Sequence, residues 1–95
     1  MTRSPSVTVH FPAVLRAFSG EGGDLSLDAA SVRAALRAME SRHPSLYRSV
    51  CDETGAVRRH VNLFVNESHV RDLLGLDTPL APGDVLTIQP AVSGG

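Results

Sequence analysis

Few side chains of this sequence are of the types that do chemistry, and their spacing matches no familiar catalytic motif. There is one cysteine, Cys51, and there are four histidines, at positions 10, 43, 60 and 69. A single thiol cannot form an internal disulfide, supply a cysteine-rich zinc site or hold a two-iron, two-sulfur centre, which takes four ligands. The histidines lack the close pairing of a zinc motif, and the sequence has no phosphate-binding loop, nucleophile elbow or HExxH motif. We therefore predict that the chain binds no metal and is not an enzyme.

Cys51 is the one side chain that could carry sulfur, as a persulfide, which exposed thiols of low pKa can do. Its neighbours argue against that role, because the carboxylates of Asp52 and Glu53 would raise the pKa of a nearby thiol. We interpret Cys51 as an ordinary structural cysteine. Arg58 and Arg59 likewise fit a solvated pair better than a site that steers an acidic partner.

Length and charge exclude several classes of protein. The 95 residues are enough for one domain with one small core. Nine basic residues, all arginine, and ten acidic residues give a formal charge of −1, whereas a nucleic-acid binder needs an excess of positive charge on one face. No apolar run approaches the roughly 20 residues of a membrane-spanning helix, and residues 1–6 lack the pattern of a signal peptide. We expect a cytoplasmic protein that binds neither nucleic acid nor membrane.

Alternation of apolar and polar residues predicts a series of short strands, which would position any reactive group. In the first strand Val7, Val9 and Phe11 face the core. In the third, Leu63 faces the core, and Phe64 therefore faces away from it. The predicted strands are Val7–Phe11, Asp24–Leu27, Val61–Asn66, His69–Val70 and Val85–Gln89.

One helix is predicted between the second and third strands, from Ser31 to Arg42. Ser31 is a favourable N-cap, with Asp28 as the alternative, and Pro44 ends the helix. Apolar residues at positions i, i+4 and i+7 form a single stripe, so the helix must pack on the sheet. These residues are Val32, Leu36 and Met39.

The remaining segments are predicted to be irregular. The segment Pro44–His60 would tuck a turn against the end of the helix through Leu46, Tyr47 and Val50, and residues 52–55 would form a polar turn. The segment 81–84, Ala-Pro-Gly-Asp, has the chemistry of a tight turn. Four leucines are expected to add to the core from irregular structure: Leu73, Leu74, Leu76 and Leu80.

This order of elements predicts an α+β domain of the β-grasp, or ubiquitin-like, type. A mixed sheet of four to five strands would carry one main helix across one face. The first and last strands would pair in parallel at the centre of the sheet, because a long crossover separates them. We place the domain at residues 1–90 and a flexible C-terminal diglycine tail at residues 91–95.

Three segments of the second half of the chain form a recognisable pattern. They are Phe64-Val65-Asn66, Leu80-Ala81-Pro82-Gly83-Asp84 and Thr87-Ile88-Gln89-Pro90-Ala91-Val92-Ser93-Gly94-Gly95. The pattern resembles that of the ubiquitin-like sulfur-carrier proteins of the ThiS/MoaD type, and most closely the actinobacterial cysteine-biosynthesis carriers of the CysO type. The resemblance extends to residues 7–9 and 59–70 and covers most of the chain. A diglycine alone is weak evidence, but one that follows a Pro-Gly-Asp turn and a strand is more specific.

The resemblance implies a carrier whose Gly95 carboxylate is adenylated by an E1-like activating enzyme, which uses ATP, and then becomes a thiocarboxylate. Val92, Ser93 and Gly94 would be the tail that enters a narrow channel of that enzyme, where a Cβ on either glycine would clash. The sulfur would serve the biosynthesis of cysteine or of another sulfur-containing metabolite, such as thiamin, molybdopterin or a natural product. The other implied partner is a sulfur-acceptor synthase, either a PLP-dependent cysteine synthase that uses O-phosphoserine or another sulfur-incorporating enzyme. In the cysteine pathway, a zinc metalloprotease would release cysteine from the Gly95 conjugate. The chain itself would bind no cofactor.

Phe64 is the residue most suited to a docking surface. An exposed aromatic side chain on a sheet face suggests a partner surface, and His10 and Gln89 would share that face. The alternative is that the loop after Pro44 covers Phe64. If docking buries the whole side chain, which is worth roughly 1.5–3 kcal/mol, Phe64→Ala should weaken docking roughly 10- to 150-fold.

Two other functions stay open at this point. A ubiquitin-like protein modifier would form an isopeptide bond through Gly95 instead of delivering sulfur. A plain interaction domain would have an inert tail.

Overall fold

The computed structural model describes residues 5–11 and 24–90. Within these ranges the chain forms five strands, two α-helices and two short 3₁₀ turns. The strands are β1 (Ser6–His10), β2 (Leu25–Asp28), β3 (Val61–Val65), β4 (Ser68–His69) and β5 (Val85–Pro90). The helices are α1 (Val32–Arg42) and α2 (Pro44–Val50), and the 3₁₀ turns are Val70–Asp72 and Gly75–Asp77.

The five strands form one mixed sheet in the order β2-β1-β5-β3-β4. β1 pairs with β5 in parallel, with Thr8 opposite Val85 and His10 opposite Thr87, so the predicted central pair is confirmed. β2 and β3 each run antiparallel to their central neighbour. The predicted β-grasp architecture is therefore confirmed, with strand ends that shift by one residue.

The helix α1 forms as the sequence predicts. The Ser31 side chain accepts a hydrogen bond from the backbone N–H of Ala34 at 3.1 Å, which satisfies one of the free donors at the helix start. The predicted stripe of Val32, Leu36 and Met39 is buried. It packs over the inner face of the sheet, where the apolar side chains of β1, β3 and β5 complete one continuous core.

The prediction of a turn after Pro44 is wrong, because residues 44–50 form a second helix, α2. Pro44 occupies the first turn, where its missing N–H is no loss and its fixed φ suits a helix. The proline therefore ends α1 and starts α2. Leu46 and Val50 are fully buried against the core, as expected, and the polar turn at residues 52–55 is present.

The prediction for two of the four leucines is also wrong. Leu73 and Leu74 are 40% and 67% exposed, whereas Leu80 is buried and Leu76 packs partly on the core. The reason is that polar contacts hold this segment together. The hydroxyl of Thr78, which is buried, donates to the Gly75 carbonyl at 2.7 Å and accepts from the Leu74 N–H at 3.1 Å.

Candidate functional site

The residues to which the sequence assigns the chemistry, Gly95 and the tail of Val92, Ser93 and Gly94, lie outside the described residues. The structure does describe the strand that leads to them. β5 lies in the middle of the sheet, hydrogen-bonded to β1 on one side and β3 on the other. Its last residue, Pro90, is opposite Val61 at the start of β3. β1 pairs with residues 85–87 of this strand and β3 with residues 86–90, so the tail continues from a strand end that is held by β3.

The face of the sheet opposite the helices carries the predicted docking residues. The register places His10, Thr87, Phe64 and His69 side by side on β1, β5, β3 and β4. We call these four residues the outer row. Since neighbouring strands are about 4.8 Å apart, the outer row spans about 14 Å. Gln89 lies two residues beyond Thr87 on the same face, towards the tail, so the predicted surface is contiguous.

Phe64 lies within the outer row and is mostly buried, with about a third or less of its surface exposed. Its ring meets the ring of His69 edge to face, with centroids 5.1 Å apart and an interplanar angle of 69°. His69 of β4 therefore contributes to the cover of Phe64. Most of the aromatic surface is thus already withdrawn from solvent before any partner binds.

His69 is a member of this surface that the sequence analysis missed. Its Nδ1 accepts the backbone N–H of Arg71 at 3.0 Å, so this nitrogen carries no proton and Nε2–H faces the Asn62 Oδ1 at 3.1 Å. Both contacts fix the orientation of the ring against Phe64. The signal in the sequence was the return strand at His69, which places this histidine directly opposite Phe64 across the sheet.

The two polar residues of the predicted surface differ in their surroundings. His10 is exposed and its Nδ1 lies 2.7 Å from the Asp24 Oδ1, where β1 ends and β2 begins. Gln89 is exposed and lies opposite Asn62. The outer face therefore combines a central aromatic ring with polar ends, which is a common composition for a protein-docking surface.

Cys51 lies in the core and is 1% exposed. Burial raises the pKa of its thiol, and the nearby Asp52 carboxylate raises that pKa further, while the hydrogen bond from Tyr47 opposes both effects. A thiol in such a place is a poor nucleophile. Arg58, which the sequence left as a solvated residue, donates from Nε to the Arg48 carbonyl of α2 at 2.8 Å.

The part of the chain described here contains no cluster of three or more histidine, cysteine or acidic side chains that could hold a metal ion. Across the same residues, no helix is long and apolar enough to span a bilayer.

Comparison with known proteins gives a consistent set of relatives. Residues 9–95 match the ThiS family. The chain is 35% identical over 92 residues to the sulfur carrier protein CysO of Mycobacterium tuberculosis. This alignment covers 95% of this chain and 99% of that protein. A chain of the crystal structure of the Amycolatopsis orientalis BexX/CysO complex superposes with a TM-score of 0.83 at 36% identity, covering 94% of this chain and 99% of that chain.

A second kind of relative has the same fold. The solution structure of the small archaeal modifier protein 1 from Methanosarcina acetivorans has a TM-score of 0.82 and 29% identity, and covers 100% of both chains. These relatives are small carrier and modifier proteins and not enzymes. Since the family match begins in β1 and includes every later element of the sheet, the chain belongs to the ThiS family.

Proposed function

We propose that the protein is a sulfur carrier whose Gly95 carboxylate is adenylated and converted to a thiocarboxylate that donates sulfur in biosynthesis. The observation that supports this most is the family match, which extends from β1 past the central strand β5 to Gly94-Gly95. The near-complete match to a sulfur carrier protein adds to it.

The proposed chemistry needs activation because a carboxylate is a poor electrophile. The Gly95 carboxylate attacks the α-phosphorus of ATP in the activating enzyme, and pyrophosphate leaves. A sulfur nucleophile then attacks the acyl carbon, AMP leaves, and a thiocarboxylate remains. Water would hydrolyse the acyl adenylate, so the step needs a closed site. Two glycines let the backbone pass through a narrow entrance that a Cβ would block.

In this proposal the outer face of the sheet binds the activating enzyme. Phe64 supplies the apolar contact, and His10 and Gln89 supply polar contacts on either side of Thr87. A CysO protein of Amycolatopsis orientalis forms a complex with BexX, and a carrier of this fold can therefore bind a second protein. The carrier itself would hold no cofactor, since ATP is consumed by the activating enzyme.

We further propose cysteine biosynthesis as the pathway and the cytoplasm as the location. The acceptor would then be a PLP-dependent cysteine synthase that uses O-phosphoserine, and a zinc metalloprotease would release cysteine from the Gly95 conjugate. The similarity to CysO over nearly the full length of both chains supports a carrier of the CysO type, and another sulfur-containing metabolite is the alternative product.

The alternative is a protein modifier, supported by the full-length structural similarity to a small archaeal modifier protein. Both functions share the adenylation of Gly95. They differ in the nucleophile that displaces AMP, which is sulfur in a carrier and a protein amine in a modifier.

Intact-mass analysis separates the functions. The purified chain is incubated with ATP, the activating enzyme of the same organism and sodium sulfide, and a reaction without ATP is the control. A mass increase equal to the replacement of one oxygen by sulfur supports the carrier. A product linked by an isopeptide bond to a lysine of an added protein supports the modifier. An unchanged mass with no ATP-dependent pyrophosphate release would overturn both.

A further inference from the structure

The start of β5 is held by two polar side chains that the proposed chemistry does not use. Asn66, in the turn between β3 and β4, donates from Nδ2 to the Asp84 Oδ1 at 3.1 Å, and its Oδ1 accepts the Val85 N–H at 3.1 Å. Asp84 accepts the Ala81 N–H on its other carboxylate oxygen at 2.8 Å. We call the pair of Asn66 and Asp84 the turn clamp, because it joins two turns at the first residue of β5.

The residue types of the turn clamp follow from this geometry. The Asp84 carboxylate only accepts hydrogen bonds, and the Val85 N–H only donates, so the residue between them must offer one donor and one acceptor. Asn66 also has a φ of +56°, a left-handed conformation that asparagine tolerates better than most residues. An asparagine satisfies all three requirements.

The turn clamp is tied to both neighbours of β5. The Asn66 N–H donates to the Val85 carbonyl at 2.8 Å, which continues the pairing with β3. The Asp84 carbonyl accepts the Thr8 N–H at 3.0 Å, which begins the pairing with β1. The hydrogen bonds from Ala81 and then Asn66 lower the pKa of Asp84, so the carboxylate stays charged at neutral pH.

We propose that Asn66 and Asp84 are positioning residues for the reaction of Gly95, because they fix the register and orientation of the strand that carries the tail. This inference rests on the proposed function. β5 has six residues and is about 20 Å long, at about 3.3 Å per residue. A displacement at its start is carried along the strand to the tail, and a misplacement of about 1 Å at a reacting centre can cost about 10²-fold in rate.

Exchange of the two residue types gives a sharp test. Asn66→Asp keeps the acceptor for Val85 but sets two carboxylates against each other. Asp84→Asn places two side-chain amides opposite each other, and the amide oxygen at position 84 must still accept the Ala81 N–H. The double variant Asn66→Asp/Asp84→Asn restores every hydrogen bond, because the new amide at position 84 donates to the new carboxylate at position 66.

The readout is the steady-state rate of ATP-dependent thiocarboxylate formation with the activating enzyme, measured over a range of carrier concentrations. We expect each single variant to lower kcat roughly 2- to 30-fold, the range typical of coupling between separated sites, with KM changed less than twofold. The double variant should recover kcat to within about twofold of the starting protein. Amide hydrogen exchange at residues 85–88 should be faster in the single variants and restored in the double variant.

Asp52→Ala is the matched control. Asp52 also accepts backbone N–H groups in a turn, from Thr54 at 2.8 Å and Ala56 at 3.2 Å, but it lies outside the sheet. This variant should lower the melting temperature to a similar extent and leave kcat unchanged.

Three results would overturn the inference. A rise in KM at constant kcat would make Asn66 a docking contact. Unchanged kcat in folded single variants would make the turn clamp purely structural. A double variant whose kcat stays as low as that of the single variants would show that loss of these hydrogen bonds does not cause the lower kcat. Failure of the starting protein to form a thiocarboxylate would instead refute the proposed function, so the two failures are distinguishable.

Discussion

Phe64→Ala tests whether the outer row is the surface that binds the activating enzyme. Complete burial of a phenylalanine side chain is worth roughly 1.5–3 kcal/mol. Phe64 is already mostly buried in the free domain, with His69 against its ring, so docking can bury only the remaining third or less of its surface. The expected loss is therefore at most about 0.5–1 kcal/mol, or about 2- to 5-fold in Kd. This is smaller than the effect expected from the sequence, which treats the ring as fully exposed.

The substitution also has a cost in the free domain, because the same contact with His69 is lost. That cost is about 0.2–1 kcal/mol for a cross-strand pair, in addition to the lost burial. Binding must therefore be measured at a temperature well below the melting transition of the variant. Since the outer face is separate from the helix-covered core, we expect the variant to stay folded under those conditions.

The assay is a calorimetric or fluorescence titration of the activating enzyme with each carrier variant. Ser41→Ala is a suitable control, because Ser41 is exposed on α1, which lies on the opposite side of the sheet from the outer row. It should bind as the starting protein does. An unchanged Kd for a folded Phe64→Ala protein would refute the docking role of Phe64, and global unfolding of the variant would show that Phe64 belongs to the core.

The remaining predictions concern the tail, the thiol, the core and an acidic turn. Deletion of Gly95 retracts the carboxylate by up to ~3.6 Å, so the thiocarboxylate yield by intact mass should fall at least ~10²-fold at unchanged melting temperature. A normal yield would show that Gly95 is not the reacting residue. Cys51→Ser should react normally, and the native thiol should react with iodoacetamide far more slowly than in denaturant. Met39→Ala should lower the free energy of unfolding by about 2–5 kcal/mol in a urea titration, because the side chain is fully buried. The hydrogen bond from the Ala81 N–H lowers the pKa of Asp84 in the folded state. The ionised Asp84 therefore stabilises the fold above about pH 4, the pKa of an unfolded aspartate, and this stabilisation is lost as the pH falls through the lower folded-state pKa. In Asp84→Asn the free energy of unfolding should fall less steeply with decreasing pH in the acid range.

Strand periodicity predicted the sheet well because burial on one face imposes it. Val7, Val9, Leu63 and Ile88 are buried where the period of two places them, and the same parity puts Phe64 on the opposite face. The central parallel pair followed from the long crossover between the first and last strands. The position of the outer row could therefore be derived from the sequence, although the cover of Phe64 by His69 could not.

Where the prediction failed, local signals had two structural meanings. Pro44 was interpreted only as a residue that ends a helix, but a proline can also occupy the first turn of one. The burial of Leu46 and Val50 favours a second helix that begins at Pro44. Leu73 and Leu74 look like core residues by composition. The choice between exposed and buried depends on Thr78, whose hydroxyl closes the turn, and no periodicity in the sequence reports that contact.

The position of β5 explains how a domain with no reactive side chain of its own could serve chemistry at a tail. This strand is paired with β1 at residues 85–87 and with β3 at residues 86–90, and Leu86 and Ile88 are fully buried beneath it. It cannot shift without disturbing both neighbours and the core. Thr87 and Gln89 of the same strand face outward, three residues and one residue before Pro90. A partner that binds the outer face therefore contacts the strand from which the tail continues. Because the docking surface and the root of the tail share this strand, binding at the outer row would also set the direction in which Gly95 is presented.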